Sequence, residues 1–370
     1  MKIAITALGR RGAGPMYSFE MAKALSANHS IFAVVSAYAE NIQLWREEEK
    51  SNPNFSILEV NTYTTLASFL IQTLNFTRYT FIAKRINEFS PDILYSPFGN
   101  FWDKFIFSRV KCPTKVKTYH DMTMHEGENH WYLGLLYSSF SFHTDKCVIL
   151  SDVFVDTMVE KYNYAREDII VIPHASFKQY SDNKQPDMST KFGLMFFGRQ
   201  VKYKGLNVML KALRLIIKDI PQIKLYIVGN GDITYASKEI EELKDNIVLQ
   251  NRWIKDDEVS GFFQQTDIAV LPYIEASQSG VIPLANSFGN PAIASDLGGL
   301  PAQINNNVSG LVVPVNNPAV LANAIIQLYH DESRLVAMKR AAWQYSIDNS
   351  WEKSAQKLVE ACIDTLTKSS

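Results

Sequence analysis

The sequence is poor in cysteine. Three cysteines in 370 residues, Cys112, Cys147 and Cys362, include no close pair. A sparse, odd set does not make a disulfide framework, and it fits a reducing compartment. No stretch reaches the roughly 18 apolar residues of a membrane span. The opening segment, Met1 to Leu8, is too short for a signal peptide and reads as a first strand. Excess charge is missing as well: 37 Lys and Arg against 38 Asp and Glu leave a formal net charge of -1. That implies no general affinity for polyanions, and no nucleic-acid partner is expected, although local basic patches could still meet phosphates or a membrane surface. There is no internal motif repeat and no low-complexity tract. These absences point to the cytoplasm and leave open a peripheral contact at the inner face of the cell membrane.

What is present is an α/β pattern repeated in two halves. A chain of this length is near the size at which one core becomes two. The first half runs strand (Lys2 to Leu8), glycine-bearing turn (Gly9 to Pro15), helix (Met16 to Leu25) and strand (Ile31 to Val34). Ile93 to Tyr95, Val116 to Tyr119, Lys146 to Leu150 and Ile169 to Ile172 are further strands. Continuously apolar strands alternating with helices make a parallel sheet. Composition shifts over Pro173 to Thr190, which reads as a linker. A second series follows: Leu194 to Phe197, Ile223 to Val228, Ile247 to Leu249, Ile268 to Leu271, Ala292 to Ala294 and Gly310 to Val313. The expected domains are 1–175, 190–340 and a helical tail over 341–370. The expected architecture is two doubly wound domains facing across a cleft, with ligands beyond the carboxyl ends of the strands.

Four loops carry the chemistry. Gly198-Arg199-x-x-Lys202-x-Lys204-Gly205 follows one strand and opens onto a helix. A strand end, two basic side chains and a helix start suit a diphosphate, since guanidinium and ammonium would neutralise charge growing on a leaving group. The bland alternative is a solvated lysine-rich turn. In the second loop, Glu275, Ser277, Gln278 and Ser279 precede a helix beginning near Gly280 and Val281, whose free N–H groups would face the same diphosphate. A serine-rich N-cap is the alternative there. Gly298-Gly299 makes a narrow loop suited to lie under a sugar or the diphosphate.

In the first half, His120 and Asp121 follow a strand, with His120 suited to a sugar hydroxyl or phosphate and Asp121 to orient it. Zinc on His120, His125, Glu126 and His130 is the rival, but the spacing fits no standard helix motif and no cysteine joins the group. Gly9, Gly12 and Gly14 do not have the spacing of a dinucleotide fingerprint. They read instead as a loop that approaches a ligand closely. The stretch Phe69 to Ile86 mixes apolar side chains with Arg78, Lys84 and Arg85, and would either pack on its domain or rest on an anionic bilayer.

Taken in order, Gly198-Arg199-x-x-x-x-Lys204-Gly205, Val228-Gly-Asn-Gly231, Asp267-Ile-Ala-Val-Leu-Pro272, Ser279-Gly280, Gly289-x-Pro291-x-Ile-Ala-Ser-Asp296-x-Gly298-Gly299 and Asn307-x-x-Gly310 resemble glycosyltransferase family 4, retaining nucleotide-sugar enzymes of the GT-B superfamily. The resemblance covers most of residues 190 to 330; in the first half Gly9 to Gly14 and Tyr119-His120-Asp121 fit it. It implies a GT-B fold whose C-terminal helices pack back toward the N-terminal domain. It also implies a nucleotide-diphosphate sugar donor, a glycan or lipid-linked acceptor, and a setting in bacterial surface-polysaccharide assembly. Arg199 and Lys204 would hold the diphosphate, Gly12 and its neighbours would approach the donor, and His120 would contact the transferred sugar. Front-face transfer, in which the leaving phosphate helps take the acceptor proton, needs no bound metal and no cofactor.

The sequence departs from that pattern in one place. The family has two glutamates eight positions apart, one touching the sugar and one the ribose; here Ser277 and Ala285 stand there. Glu275, Gln278 and Asn286 lie nearby but out of register. Ala302 also replaces a common acidic residue. An altered donor pocket follows, or a non-catalytic partner subunit.

Overall fold

Short apolar runs that end in glycine, serine or proline become the strands of two separate parallel sheets. The computed structural model describes residues 1–120, 142–177, 180 and 186–368. In the first unit the strands are Lys2–Ala7 (β1), Ser30–Ser36 (β2), Phe55–Val60 (β3), Ile93–Ser96 (β4), Thr114–Tyr119 (β5), Lys146–Ile149 (β6) and Ile169–Val171 (β7). They pair in parallel in the order β3-β2-β1-β4-β5-β6-β7. The order reverses between β1 and β4, which makes the crevice beyond their carboxyl ends a switch point. Helices Ala13–Ser26 (α1), Ile42–Ser51 (α2), Leu66–Leu74 (α3), Phe76–Phe89 (α4) and Asp103–Phe107 (α5) fill the early crossovers. β3 was not expected from the sequence. Only its end residues Phe55 and Val60 are buried, so this edge strand lacks the continuous apolar run of the others.

The second unit repeats the plan with Gly193–Phe197 (β8), Lys224–Val228 (β9), Ile247–Gln250 (β10), Ile268–Leu271 (β11), Ala292–Ser295 (β12) and Gly310–Val313 (β13). Their order is β10-β9-β8-β11-β12-β13, again all parallel, with the switch point between β8 and β11. The amphipathic helix Leu206–Ile216 buries Leu206, Met209, Leu210, Leu213 and Ile216 against β8 and β9 residues such as Leu194 and Ile227. Beneath this core lies a buried ion pair. Lys339 Nζ donates to Asp267 Oδ1 at 3.1 Å, and the same carboxylate accepts from the backbone N–H groups of Lys191 and Gly193 and from the Tyr329 hydroxyl.

Among the described residues the first unit holds 1–120, 142–173 and 351–368, and the second holds the rest. The stretch expected as one tail from residue 341 is therefore divided. Helix Glu332–Asp348 belongs to the second unit, and helix Trp351–Lys368 packs on α1 in the first. The pivot is Trp351, buried with its ring 4.9 Å from that of Tyr17. Among the described residues no helix is long and apolar enough to cross a membrane.

Candidate functional site

The loops singled out in the sequence gather at the two switch points. In the second unit the turn after β8 and the loop after β11 meet. Gly205 takes φ 76°, and a Cβ there would collide with the Pro272 carbonyl. The glycine is thus needed twice, for its left-handed backbone and for the close approach of the two loops. Between Gly198 and Gly205 a 3₁₀ turn, Lys202–Lys204, swings Lys204 inward. Lys204 is 8% exposed; its Nζ donates to the Phe197 carbonyl at 3.2 Å and lies 5.5 Å from the Tyr273 ring. Burial pushes its ammonium down to about 8; Tyr203 acts against that shift and Arg199 adds to it. Arg199 itself is exposed on the turn. A lysine held out of water beside a second cation, with no carboxylate pairing it among the described residues, is arranged to receive an anion.

The loop after β11 is stitched to the loop after β12. Gln303, on the 3₁₀ turn Pro301–Gln303, clamps Ser279 from both sides. Ser279 N–H donates to Gln303 Oε1 and Gln303 Nε2 donates to the Ser279 carbonyl, each at 2.9 Å. Gly299 N–H donates to the Ser277 carbonyl at 2.7 Å. Gly298 has φ 55°, and a Cβ there would strike the Ala276 carbonyl. Helix Val281–Ser287 starts from Gly280, with Val281 N–H donating to Ser279 Oγ at 3.2 Å. Tyr273 OH lies 3.3 Å from that same Oγ. So Lys204, Tyr273, Ser279, Gly280, Val281, Gly298 and Gly299 belong to one connected set of loops. Glu275 and Gln278 are half-buried on it.

The two substituted glutamate positions are not solvent-facing. Ser277 is buried and Ala285 fully so; Asn286, next to it, is also buried.

In the first unit His120 directly follows β5 and sits in an aromatic cradle. Its Nε2 lies 2.8 Å from the Pro97 carbonyl, Phe98 tilts over it at 4.2 Å, and Tyr17 meets it edge-on at 4.6 Å. Gly14 is buried directly under Phe98, where a Cβ would come within 2.9 Å of that ring. That glycine is a packing residue of the cradle and not part of an exposed loop. Gly12 is exposed with φ 82° and donates its N–H to Glu40 at 2.9 Å. Asp121 lies outside the described residues, as do His125, Glu126 and His130.

Sequence reasoning missed several members. Gln303, Phe98 and Asp103 carry no motif: Gln303 is tied twice to the Ser279 backbone, Asp103 accepts from Ser96 Oγ and Asn100 N–H, and Phe98 lies against the His120 ring. His174, just after β7, was missed as well. Its Nδ1 lies 2.9 Å from the Ala175 carbonyl, and its Nε2 is 3.6 Å from where a Gly280 Cβ would stand.

Known proteins share the fold of this chain and part of its sequence. The family model described as "Glycosyl transferases group 1" matches residues 191–331. A D-inositol 3-phosphate glycosyltransferase from Corynebacterium urealyticum is 28% identical over 239 residues, covering 59% of this chain and 56% of that protein. The chain thus spans about half the length of the relatives it matches. Among solved structures, Anabaena Alr3699/HepE in complex with UDP-glucose superposes with a TM-score of 0.72 at 16% identity over 100% of both chains. WaaG, a glycosyltransferase involved in lipopolysaccharide biosynthesis, gives a TM-score of 0.66 at 15% identity over 98% of this chain and 99% of that one.

Two parallel, doubly wound sheets and the likeness to these solved structures define a protein of the GT-B fold. The family model matches the second unit, and the relatives that the chain resembles over about half their length are named as glycosyltransferases.

Proposed function

We propose that this protein transfers a sugar from a nucleotide-diphosphate sugar to a glycan or lipid-linked acceptor, with retention at the anomeric carbon, in bacterial surface-polysaccharide assembly. The observation that carries this is Lys204: buried, its ammonium pushed down to about 8, beside Arg199 at the β8–β11 switch point. Neutralising a departing diphosphate is the use such a pair suits. UDP and UDP-glucose in HepE support the choice of donor class, and WaaG supports the choice of setting. In this reading the second unit holds the donor, the first takes the acceptor, and His120 positions the sugar. The leaving phosphate takes the acceptor proton on the face it leaves, and no metal enters. The protein works at the cytoplasmic face, in peripheral contact with the membrane.

The test is a panel of nucleotide sugars with soluble and lipid-linked acceptors, read by nucleotide release and by the anomeric configuration of the product. An acceptor-dependent, retained product is expected. Inversion would overturn the stereochemical part, and silence across the panel would overturn the activity.

A second reading, a partner subunit that does not catalyse, is favoured by Ser277 and Ala285, both buried where the family pattern has glutamates. It predicts nucleotide binding and complex formation without turnover.

A further inference from the structure

One surface of the first unit is left unexplained by transfer chemistry. Helix α3, LASFLIQTL, carries no charge and has no buried residue. Leu66, Leu70, Ile71 and Leu74 recur at i, i+4, i+5 and i+8, which puts them on one stripe. They are 55–76% exposed. The opposite side does the packing: Phe69 stacks on Trp102 with centroids 6.0 Å apart, and the Trp102 indole N–H donates to Thr73 Oγ1 at 2.9 Å. A capping box between Thr65 and Ser68 fixes where the helix begins. The stripe is therefore a set feature of an anchored helix.

Helix α4 extends it. The sequence alone left Phe69 to Ile86 divided between core and lipid; the structure separates the residues. Tyr79, Ile82, Ala83 and Ile86 are buried, while Phe76 and Phe81 stay about half exposed on the side that also carries Lys84. Of 17 exposed large hydrophobics among the described residues, six fall within 66–81, so the concentration is local.

The margin of this patch is cationic. Residues 61–111 hold six Lys and Arg against three Asp and Glu, in a chain whose formal net charge is -1. One of the three acids, Asp103, is fully buried, and another, Glu88, pairs with Arg85 at 2.8 Å. Lys84 and Arg109 share an open groove with Thr80, Asn87 and Glu88, a place for an anionic headgroup.

We propose that α3 and the start of α4 dock onto an anionic lipid bilayer. The α3 stripe enters the acyl boundary, Phe76 and Phe81 sit at headgroup depth, and Lys84, Arg85 and Arg109 meet the anionic headgroups. An aliphatic stripe with a basic edge is the two-part attachment that interfacial helices use. This deepens the membrane contact in the functional reading, and its test uses no transfer chemistry, so either can fail alone.

The test is flotation of the full chain with vesicles of phosphatidylcholine, with and without a minor fraction of phosphatidylglycerol. Wild type is expected to float with the mixed vesicles. Leu70→Asp/Ile71→Asp is expected to lower the bound fraction by at least about tenfold on both kinds of vesicle. Lys84→Glu/Arg85→Glu is expected to lower it about tenfold on the mixed vesicles alone, and less at high salt. Because these side chains are exposed, circular dichroism of each variant should match wild type. Wild type that floats with neither vesicle, or a Leu70/Ile71 variant that floats as well as wild type, overturns the proposal. A dimer in sedimentation equilibrium that the Leu70/Ile71 variant abolishes assigns the face to a second copy, and overturns it too.

Discussion

The imidazole of His120 is tied to Pro97 by a hydrogen bond of 2.8 Å from Nε2 to the carbonyl oxygen. A carbonyl only accepts, so the proton sits on Nε2. The loop that supplies this carbonyl is held by a group further down the chain. Asp103 Oδ2, fully buried, accepts from Ser96 Oγ and from Asn100 N–H, each at 2.7 Å. Those two bonds span residues 97–100, and with them Phe98, the ring that lies over His120.

Asp103 is thus expected to position His120 without touching substrate. Asp103→Asn can still accept both hydrogen bonds and should keep the tautomer, whereas Asp103→Ala frees the loop. Nitrogen-15 spectra of the imidazole should show one tautomer in wild type and in Asp103→Asn, and a mixture in Asp103→Ala. Turnover should fall about tenfold in Asp103→Ala with a smaller change in KM, since a modest misplacement already slows an oriented reaction. An unchanged tautomer in Asp103→Ala would remove Asp103 from this role.

Lys204 sets a pH window. Its folded pKa is about 8 against an ordinary 10.5, so between those values the unfolded chain holds more protons than the folded one. Stability contributed by this group is therefore expected to rise with pH across that window and to stay flat below it. A bound diphosphate raises the folded pKa and should flatten the slope. Thermal melts from neutral to alkaline pH, with and without UDP, would show this. UDP affinity should weaken as pH climbs through about 8, and Lys204→Met should lower it roughly ten- to a hundredfold, the worth of one charge-assisted hydrogen bond.

Gln303 is expected to matter although no motif marks it. Gln303→Leu keeps the volume but strips both partners from the Ser279 backbone, a loss of about 1–3 kcal/mol where the groups stay buried. The freed 277–281 loop should raise the donor KM more than it lowers kcat. Equal KM in the variant and wild type, measured with the panel's best donor, would contradict the clamp.

The Lys339–Asp267 pair predicts a stability effect away from the chemistry. Lys339→Met leaves a buried carboxylate with backbone and tyrosine donors but no cation, expected to cost about 3–5 kcal/mol. Denaturant unfolding of the variant checks this, and Asp267→Asn/Lys339→Met should recover part of the loss.

Both sheets were largely legible because a buried parallel strand announces itself: Met195, Phe196 and Ile268 to Leu271 are unbroken apolar runs, and the loop after the first of them opens with Gly198 and Arg199. β3 was hidden because an edge strand with one half-wet face, Ser56 to Glu59, looks like surface. The division at Trp351 was hidden because helical periodicity runs on through Ser350 and says nothing of which core takes each side. On the site, the side chains that a diphosphate would need, Arg199 and Lys204, were visible as charge at a strand end. Their supports were not. Gln303 and Asp103 act through backbone groups 24 and 3 residues away, Phe98 through a ring contact 22 residues away, and such contacts leave no pattern in side-chain type.

Glu20, on α1, gives the clearest stabilising substitution. Burial pushes its carboxyl up to about 6, Lys23 opposes the shift, and Glu352 and Glu48 add to it. Glu352 lies on helix Trp351–Lys368, so the strain falls on the joint that fastens the returning chain to the first unit. Between the ordinary 4.5 and about 6 the folded state holds more protons than the unfolded one. Stability from this group is full below that window and falls as pH rises through it. Glu20→Gln removes the penalty and is expected to raise the melting temperature by about 2–4 °C at pH 7. In acid, below the window, the two proteins should melt together. A gain that persists undiminished in acid would mean that packing, and not charge, is responsible.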